Sequence, residues 1–405
     1  MALLDNRWII LFGGFLLNLM LGVVYSWSVF INPLMDDYGW SKLTASLPFM
    51  IFLAVFALLM IPAGRFQDKL GPRKIAMFGG LLLGAGFMLA SLQVDSVTTL
   101  CLTYGLIAGG GCGLGYACAI PVARKWFPDK PGLAIGITVG GFGLSALLFA
   151  PLQKSLIADQ GIDSTFLIIG GVLMAVSILA SALLKNPPAG WKPAGWEPKV
   201  TAAASAVKSI AVDEDLGAMA VLKTPRFWML WFVFTFMALA GLMVIGHIAS
   251  YTDGLQGVTV GALAAGVLSG FNAAGRPGSG WLADKFGYAK TMMILFAIQA
   301  IVLLIFPFVA VNAALVFVLV IFIGFNFGAN FALFPTACGD SFGVKNMGRN
   351  YGLLFTAYGV GGIVGPLIGG QVYDSTGDYK WAFIIAAILV FVAVAIVFTY
   401  RKKYS

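Results

Sequence analysis

The stretch GRFQDKLG at residues 64–71 returns as GWLADKFG at residues 280–287, which lies 216 residues further along the chain (280 − 64). The same separation links Gly132 with Gly348, and each of these glycines stands where an apolar run begins. A repeat that stays in register at separate junctions is the signature of an internal duplication. The sequence therefore predicts two homologous halves.

The composition indicates that both halves lie largely in lipid. Sixty per cent of the 405 residues are hydrophobic and 10% are charged, and the mean hydropathy is +0.93. A soluble chain of this length needs more polar surface, and apolar runs of about 20 residues, the length of a membrane-spanning helix, recur along the chain. We predict an all-α membrane protein in which twelve transmembrane helices form two pseudo-symmetric six-helix bundles. The expected spans are residues 8–33, 44–64, 74–93, 97–123, 132–153, 164–185, 226–250, 258–282, 290–310, 313–338, 349–372 and 379–400.

The longest polar stretch, residues 186–224, contains four prolines, a run of small residues and an acidic trio. Such a composition is typical of a linker. We therefore expect an N-terminal bundle at residues 1–185, a cytoplasmic linker at 186–224 and a C-terminal bundle at 225–405.

The cations are distributed unequally between the loops. Of the 25 lysines and arginines, 21 fall at the chain ends or in the loops that follow even-numbered spans; Lys42, Lys154 and Lys380 fall on the other side, and Arg276 falls within the eighth span. By the positive-inside rule, both termini are expected in the cytoplasm, in a multi-pass protein of the inner (plasma) membrane. The net charge of +8 is thereby explained by topology, and we expect the lipid bilayer, and no nucleic acid, as a partner.

The loop GRFQDKLGPRK at residues 64–74 resembles the signature loop of the major facilitator superfamily. A small residue at its start lets neighbouring helices approach closely. Its aspartate can pair with a nearby arginine or cap a helix N-terminus, which would latch one conformation of the bundle. The second copy has Ala289 in place of the arginine, so its latch is expected to be weaker. The expected latch residues are Gly64, Asp68, Lys69, Arg73 and Asp284.

Within the superfamily, WFPDKPGLAIG at residues 126–136 is similar to the corresponding loop of the monocarboxylate transporters and of the bacterial oxalate/formate antiporters. The resemblance to the antiporter group extends to YSW at 25–27 and RNYG at 349–352, and Arg276 matches an arginine that both groups carry in the eighth span. Two positions depart from these patterns. Asn272 stands where monocarboxylate transporters typically carry an aspartate, and Tyr358 stands where the oxalate transporter carries a lysine.

Arg276 is the strongest candidate for a binding residue. A charge in the hydrocarbon region costs at least about 2.5–3.5 kcal/mol, so it needs a partner. None of the 17 acidic residues is expected inside a span, which leaves a substrate carboxylate held by the guanidinium fork. The alternative is that Arg276, six residues before Leu282, reaches out to the membrane surface. Ser269 and Asn272 lie on the same helical face as Arg276, which favours a cavity.

Other polar and aromatic residues inside the spans are candidates for the same cavity. Each of them is more often a packing residue, except His247, which is the only histidine of the chain. The polar candidates are Tyr25, Tyr116, His247, Asn326, Asn330 and Tyr358, and the apolar wall is expected from Phe331 and Phe355.

Nothing in the sequence indicates an enzyme or a cofactor. The run GGGCGLG at 109–115 mimics a nucleotide-binding loop but lies inside a helix, and the four cysteines lack the spacing of a metal or redox site. Transport would then draw on a gradient, for which His247 and Asp253 are the titratable candidates near the pathway. We expect a monomer that carries a small lactate- or pyruvate-like monocarboxylate anion with protons by alternating access. A carboxylate antiporter and a non-transporting sensor are the alternatives.

Overall fold

The computed structural model describes residues 6–188, 190–197, 215–245, 251, 258–310 and 312–404, and these ranges contain helices and no strand. A 3-10 segment spans Gly22–Ser26, and a π-helical segment spans Cys101–Ala108. The helices are α1 (Arg7–Leu21), α2 (Ser28–Tyr38), α3 (Lys42–Leu70), α4 (Pro72–Ala90), α5 (Val97–Leu100), α6 (Gly109–Trp126), α7 (Pro131–Ala182), α8 (Ala218–Leu222), α9 (Pro225–Ile245), α10 (Val258–Phe286), α11 (Tyr288–Val309), α12 (Ala313–Phe342), α13 (Met347–Thr376) and α14 (Lys380–Tyr404).

Ten helical stretches of the described chain are long and apolar enough to cross a membrane. One of them, α7, has 52 residues and turns at Gly161, whose φ of 83° and ψ of 172° interrupt the helix, so that α7 supplies two crossings. A further crossing comes from α10, which is not among the ten but has 29 residues, enough for about 43 Å of helix. Twelve crossings result, and the sequence predicted twelve spans.

The boundaries differ from the prediction where a helix continues past its apolar part. The fifth and sixth spans were expected to be separated by a loop at residues 154–163, yet α7 remains helical through most of it. Charged residues do not end a helix once it has left the hydrocarbon region, so hydropathy alone places the boundary too early. The end of the seventh expected span, residues 246–250, lies outside the described residues.

The two halves of the chain meet along two equivalent pairs of helices, α3 with α13 and α7 with α10. Gly64 lies against the backbone carbonyl of Gly348, and Gly280 lies against the carbonyl of Gly132, so a Cβ atom at Gly64 or Gly280 would overlap the opposite backbone. These four glycines belong to the repeat that is visible in the sequence. Their lack of side chains lets the helices approach closely, as in other membrane helix pairs.

Both ends of the expected linker contact the helices through hydrogen bonds and ring packing. The indole nitrogen of Trp126 donates to the carbonyl of Lys185 at 2.7 Å, and Trp191 packs on Trp126 with ring centres 4.6 Å apart. At the other end of the linker, the Lys345 N–H donates to the carboxylate of Asp215 at 2.9 Å. The division of the chain at residues 185 and 225 stays a prediction.

Candidate anion-binding site

Arg276 of α10 is fully buried, with an exposed fraction of 0%. One terminal nitrogen donates to the backbone carbonyl of Val139 on α7 at 2.7 Å, and the other donates to the side-chain oxygen of Asn272 at 3.1 Å. The Nε–H has no acceptor among the described residues. The arginine therefore belongs to the second half of the chain but hydrogen-bonds to the first.

The charge of Arg276 is partly balanced by aromatic rings. Its guanidinium carbon lies 4.4 Å from the ring centre of Phe331 and 5.7 Å from that of Phe142. A cation over an aromatic face gains about 0.5–2 kcal/mol, and a hydrogen bond from a charged donor contributes about 1.5–3 kcal/mol. Both hydrogen-bond acceptors are neutral. The two ion pairs within the described chain are Arg7–Asp129 and Arg124–Asp340, so no carboxylate of the described residues neutralises Arg276.

A connected group of aromatic side chains, called here the aromatic cage, includes the two rings that contact this arginine. Neighbouring rings of the cage lie with their centres 5.1 to 6.0 Å apart. The hydroxyls of two of its members, Tyr25 and Tyr358, are hydrogen-bonded to each other across the two halves at 3.1 Å. The cage consists of Tyr25, Phe56, Tyr116, Phe142, Phe331, Phe355 and Tyr358.

The structure brings most of the residues predicted for substrate binding into this one place. Asn272 bonds directly to Arg276, and the five aromatic candidates all belong to the cage. Asn330 stays a predicted member of this site. It shares a helical face with Phe327, which lies against Gly241 of α9, and with Phe334, which stacks on Phe234 of α9 at 4.1 Å.

Asn326 lies one helical turn before Asn330, and both amides are buried without a hydrogen-bond partner among the described residues.

Two members of the cage were not identified from the sequence. Phe142 is the single bulky residue in the run Gly140-Gly141-Phe142-Gly143, which is a local signal for a ring that fills the space between closely packed helices. Phe56 lies in an apolar run and carries no distinguishing signal. The carbonyl of Val139, which accepts from Arg276, is a backbone group and cannot be recognised from residue type.

His247 and Asp253, the residues expected to exchange protons, lie outside the described residues. Their assignment stays a prediction.

The expected latch residues lie at one end of the molecule, called here the basic end, where Arg7 bonds to Asp129 and Arg124 bonds to Asp340. Asp284 accepts hydrogen bonds from the N–H groups of Gly132 at 2.7 Å and Leu133 at 2.8 Å, in the first turn of α7. Backbone N–H groups at a helix start lack partners within the helix, and a carboxylate there also interacts favourably with the helix dipole. Asp284 thus caps a helix of the other half.

Asp68 makes the equivalent contact in the opposite direction. Its carboxylate accepts from the Arg349 N–H at 3.2 Å, in the first turn of α13. The two caps are related by the repeat, because Asp284 and Asp68 are separated by 216 residues, as are Leu133 and Arg349. Each half therefore caps a helix of the other at the basic end.

Of the two partners considered for Asp68, the structure shows the helix N-terminus and not Arg73. Arg73 and Lys69 are exposed and have no hydrogen bond or ion pair with the described residues. Arg124 bridges the halves at the same end through its bond to Asp340, a residue 216 positions away. The expectation that the second copy of the loop forms the weaker latch stays a prediction.

Comparison with known proteins assigns the chain to a family. The family model described as Major Facilitator Superfamily matches residues 10–366 and 271–404. The chain is 36% identical over 400 residues to an oxalate:formate antiporter of Oxalobacter formigenes, with 98% of this chain and 91% of that protein covered. It is also 25% identical over 406 residues to monocarboxylate transporter 13 of Rattus norvegicus, with 98% of this chain and 90% of that protein covered.

Solved structures show the same fold at low sequence identity. The transporter FucP in its outward conformation superposes with a TM-score of 0.72 at 18% identity, covering 99% of this chain and 100% of that one. The human organic anion transporter MFSD10 superposes with a TM-score of 0.73 at 13% identity, covering 97% of this chain and 99% of that one. The predicted all-α fold with two sets of membrane-spanning helices is confirmed.

Proposed function

Because the chain belongs to the major facilitator superfamily and is a multi-pass membrane transporter, we propose that it carries small monocarboxylates, of the size of lactate or pyruvate, together with protons. The substrate carboxylate binds Arg276 between the two halves, which then rock about it in alternating access. Protons and the lipid bilayer are its further partners, and the protein acts as a monomer.

The observation that carries this proposal is the buried guanidinium of Arg276 without a carboxylate partner among the described residues. Its two terminal nitrogens point to neutral oxygens, on Val139 and Asn272, that a carboxylate can replace with both bonds intact. A singly charged anion would leave the site electrically neutral. Neutrality lowers the cost of moving the loaded site through the membrane interior.

The basic end would face the cytoplasm of the cell, by the excess of lysine and arginine in its loops. In that orientation the caps at Asp68 and Asp284 close the cytoplasmic side. Substrate would then reach Arg276 from outside and leave after these contacts break.

Exchange of one carboxylate for another is the second candidate, favoured by the 36% identity to an oxalate:formate antiporter. Exchange needs only a charged anchor, whereas symport also needs a group that takes up a proton.

Purified protein in liposomes tests both candidates. Symport predicts accumulation of labelled lactate when the outside is made acidic and the inside contains no counter-substrate. Exchange predicts uptake only when the liposomes are loaded with unlabelled carboxylate. Absence of carboxylate uptake under both conditions would refute the proposed function.

Substrate selectivity should follow from Tyr358, which stands where a second cation would favour a dianion. We expect lactate and pyruvate to compete for the site and oxalate to compete poorly, because a second carboxylate would face the Tyr25–Tyr358 hydroxyl pair and no second positive charge. Competition against labelled lactate uptake measures this. Tyr358→Lys should improve the competition by oxalate, and Tyr358→Phe is the matched control. Equal competition by oxalate and lactate in the unmodified protein would contradict the prediction.

Proton coupling is expected to depend on Asp253 and His247. Replacing the titrating groups by isosteres, in Asp253→Asn and His247→Gln, should weaken accumulation driven by an inward proton gradient, because the proton then has no binding group. Exchange of labelled for unlabelled lactate should persist in part, since it requires no net proton movement. Accumulation equal to that of the parent protein in both variants would exclude this pair as the proton site.

A further inference from the structure

A cavity of about 320 Å³ lies at the end of the molecule opposite the basic end, between α2 and α7. This volume is near the lower limit of small-molecule pockets. Three of the lining side chains can donate hydrogen bonds, and none of the lining residues is acidic. The lining consists of Ser28, Val29, Asn32, Pro33, Lys154 and Ile157.

The cavity lies along the same helices that reach the aromatic cage. Tyr25 lies in the 3-10 segment that leads into α2, and on α2 Ser28 and Asn32 lie one helical turn apart on one face. On α7, Lys154 lies 12 residues beyond Phe142, or about 18 Å along the helix. Side chains on a helix lean toward its N-terminus, so the lysine leans from the far end toward the cage.

Lys154 differs in its contacts from Lys380, another lysine of this end. The ammonium group of Lys380 lies 4.6 Å from the ring centre of Phe308. Lys154 is exposed and makes no hydrogen bond or ion pair with the described part of the chain. Acidic residues occur nearby along the sequence at Asp159 and Asp163, so the cavity offers an anion a positive charge in an otherwise repulsive region.

We propose that this cavity is an outer waiting site for the substrate, in which Lys154 holds a small carboxylate anion before it passes to Arg276. The proposal rests on the proposed function. An exposed ammonium group is a hydrated point charge and binds weakly, whereas the buried guanidinium at Arg276 can bind in a bidentate manner. Affinity therefore increases along the path, and the outer site raises the local concentration of anion without retaining it.

Initial uptake of labelled lactate into liposomes, measured well below saturation, tests the proposal through its dependence on charge and salt. Lys154→Gln should lower this rate roughly three- to tenfold at low ionic strength, since it removes electrostatic attraction. The saturated rate should not change, because the central site is intact. Added salt should slow the parent protein but have little effect on Lys154→Gln, since salt screens charge over about 10 Å.

Two matched variants distinguish the effect of the positive charge at Lys154 from the effects of side-chain packing and of removing any lysine from this end. Lys154→Arg should behave as the parent, because the positive charge remains. Lys380→Gln, which removes a lysine from the same end but outside the cavity, should also behave as the parent. Equal rates and equal salt dependence in the parent and in Lys154→Gln would overturn the waiting site while leaving the proposed function in place. Absence of carboxylate uptake by the parent would overturn both.

Discussion

Arg276→Ala is expected to abolish carboxylate binding and transport. The guanidinium is the one cation that the described structure places within the aromatic cage, and truncation of one partner of a buried charged pair costs about 2–5 kcal/mol. Affinity for lactate should therefore fall roughly 100-fold or more. Arg276→Lys should also lose most binding, because an ammonium group cannot reproduce the two parallel bonds of the guanidinium fork. Equilibrium binding of labelled lactate to purified protein measures both losses.

Arg276→Met is the control for folding. It keeps the length of the side chain, and the removal of a buried charge that no described carboxylate balances offsets the loss of the bonds to Val139 and Asn272, so the thermal unfolding temperature should change little. Loss of binding with stability retained would support a role in substrate recognition. Near-parent affinity in Arg276→Ala would refute the site, and a large loss of stability in Arg276→Met would identify a structural arginine instead.

The double variant Asp68→Ala/Asp284→Ala is expected to open the basic end. Each aspartate caps a helix of the opposite half, and loss of a cap costs about 1 kcal/mol. Because the cost falls only on the state in which the halves touch there, each loss shifts the ratio of closed to open protein roughly fivefold toward open. Reaction of Cys338, which is buried near Asp340 and Arg124, with a soluble thiol reagent should become correspondingly faster.

Peptide mass spectrometry measures this reaction at Cys338 without removal of the other cysteines. Asp68→Asn/Asp284→Asn is the matched control, since asparagine caps a helix nearly as well as aspartate. Asp163→Ala, which removes an exposed acid at the far end, should leave the labelling rate unchanged. Labelling as slow as in the parent would show that the caps do not hold this end closed.

The relation between Asn272 and Arg276 was predictable because both lie on one helix, where a separation of four residues places side chains on the same face. The bond from Arg276 to Val139 and the contact of Tyr25 with Tyr358 join separate halves of the chain. Such contacts depend on how the bundles pack, and no local periodicity encodes them.

The partner of Asp68 shows a different limit of prediction from sequence. The sequence offered Asp68 an arginine five residues away, but an exposed ion pair contributes little free energy. The N–H groups at the start of α13 lack acceptors within their helix and bind the carboxylate more favourably. The sequence allowed either Arg73 or a helix N-terminus as the partner, and the unmet hydrogen bonds of a distant helix decide between them.

The bond between Arg124 and Asp340 joins two positions that are equivalent in the two halves, 216 residues apart. Equivalent positions can touch only where the axis relating the halves passes between them, as in an isologous dimer. In an ancestral homodimer of one such half, this position would face its own copy, and two arginines or two aspartates would repel each other. The attraction therefore requires two divergent sequences, and this contact arose only after the halves had become different.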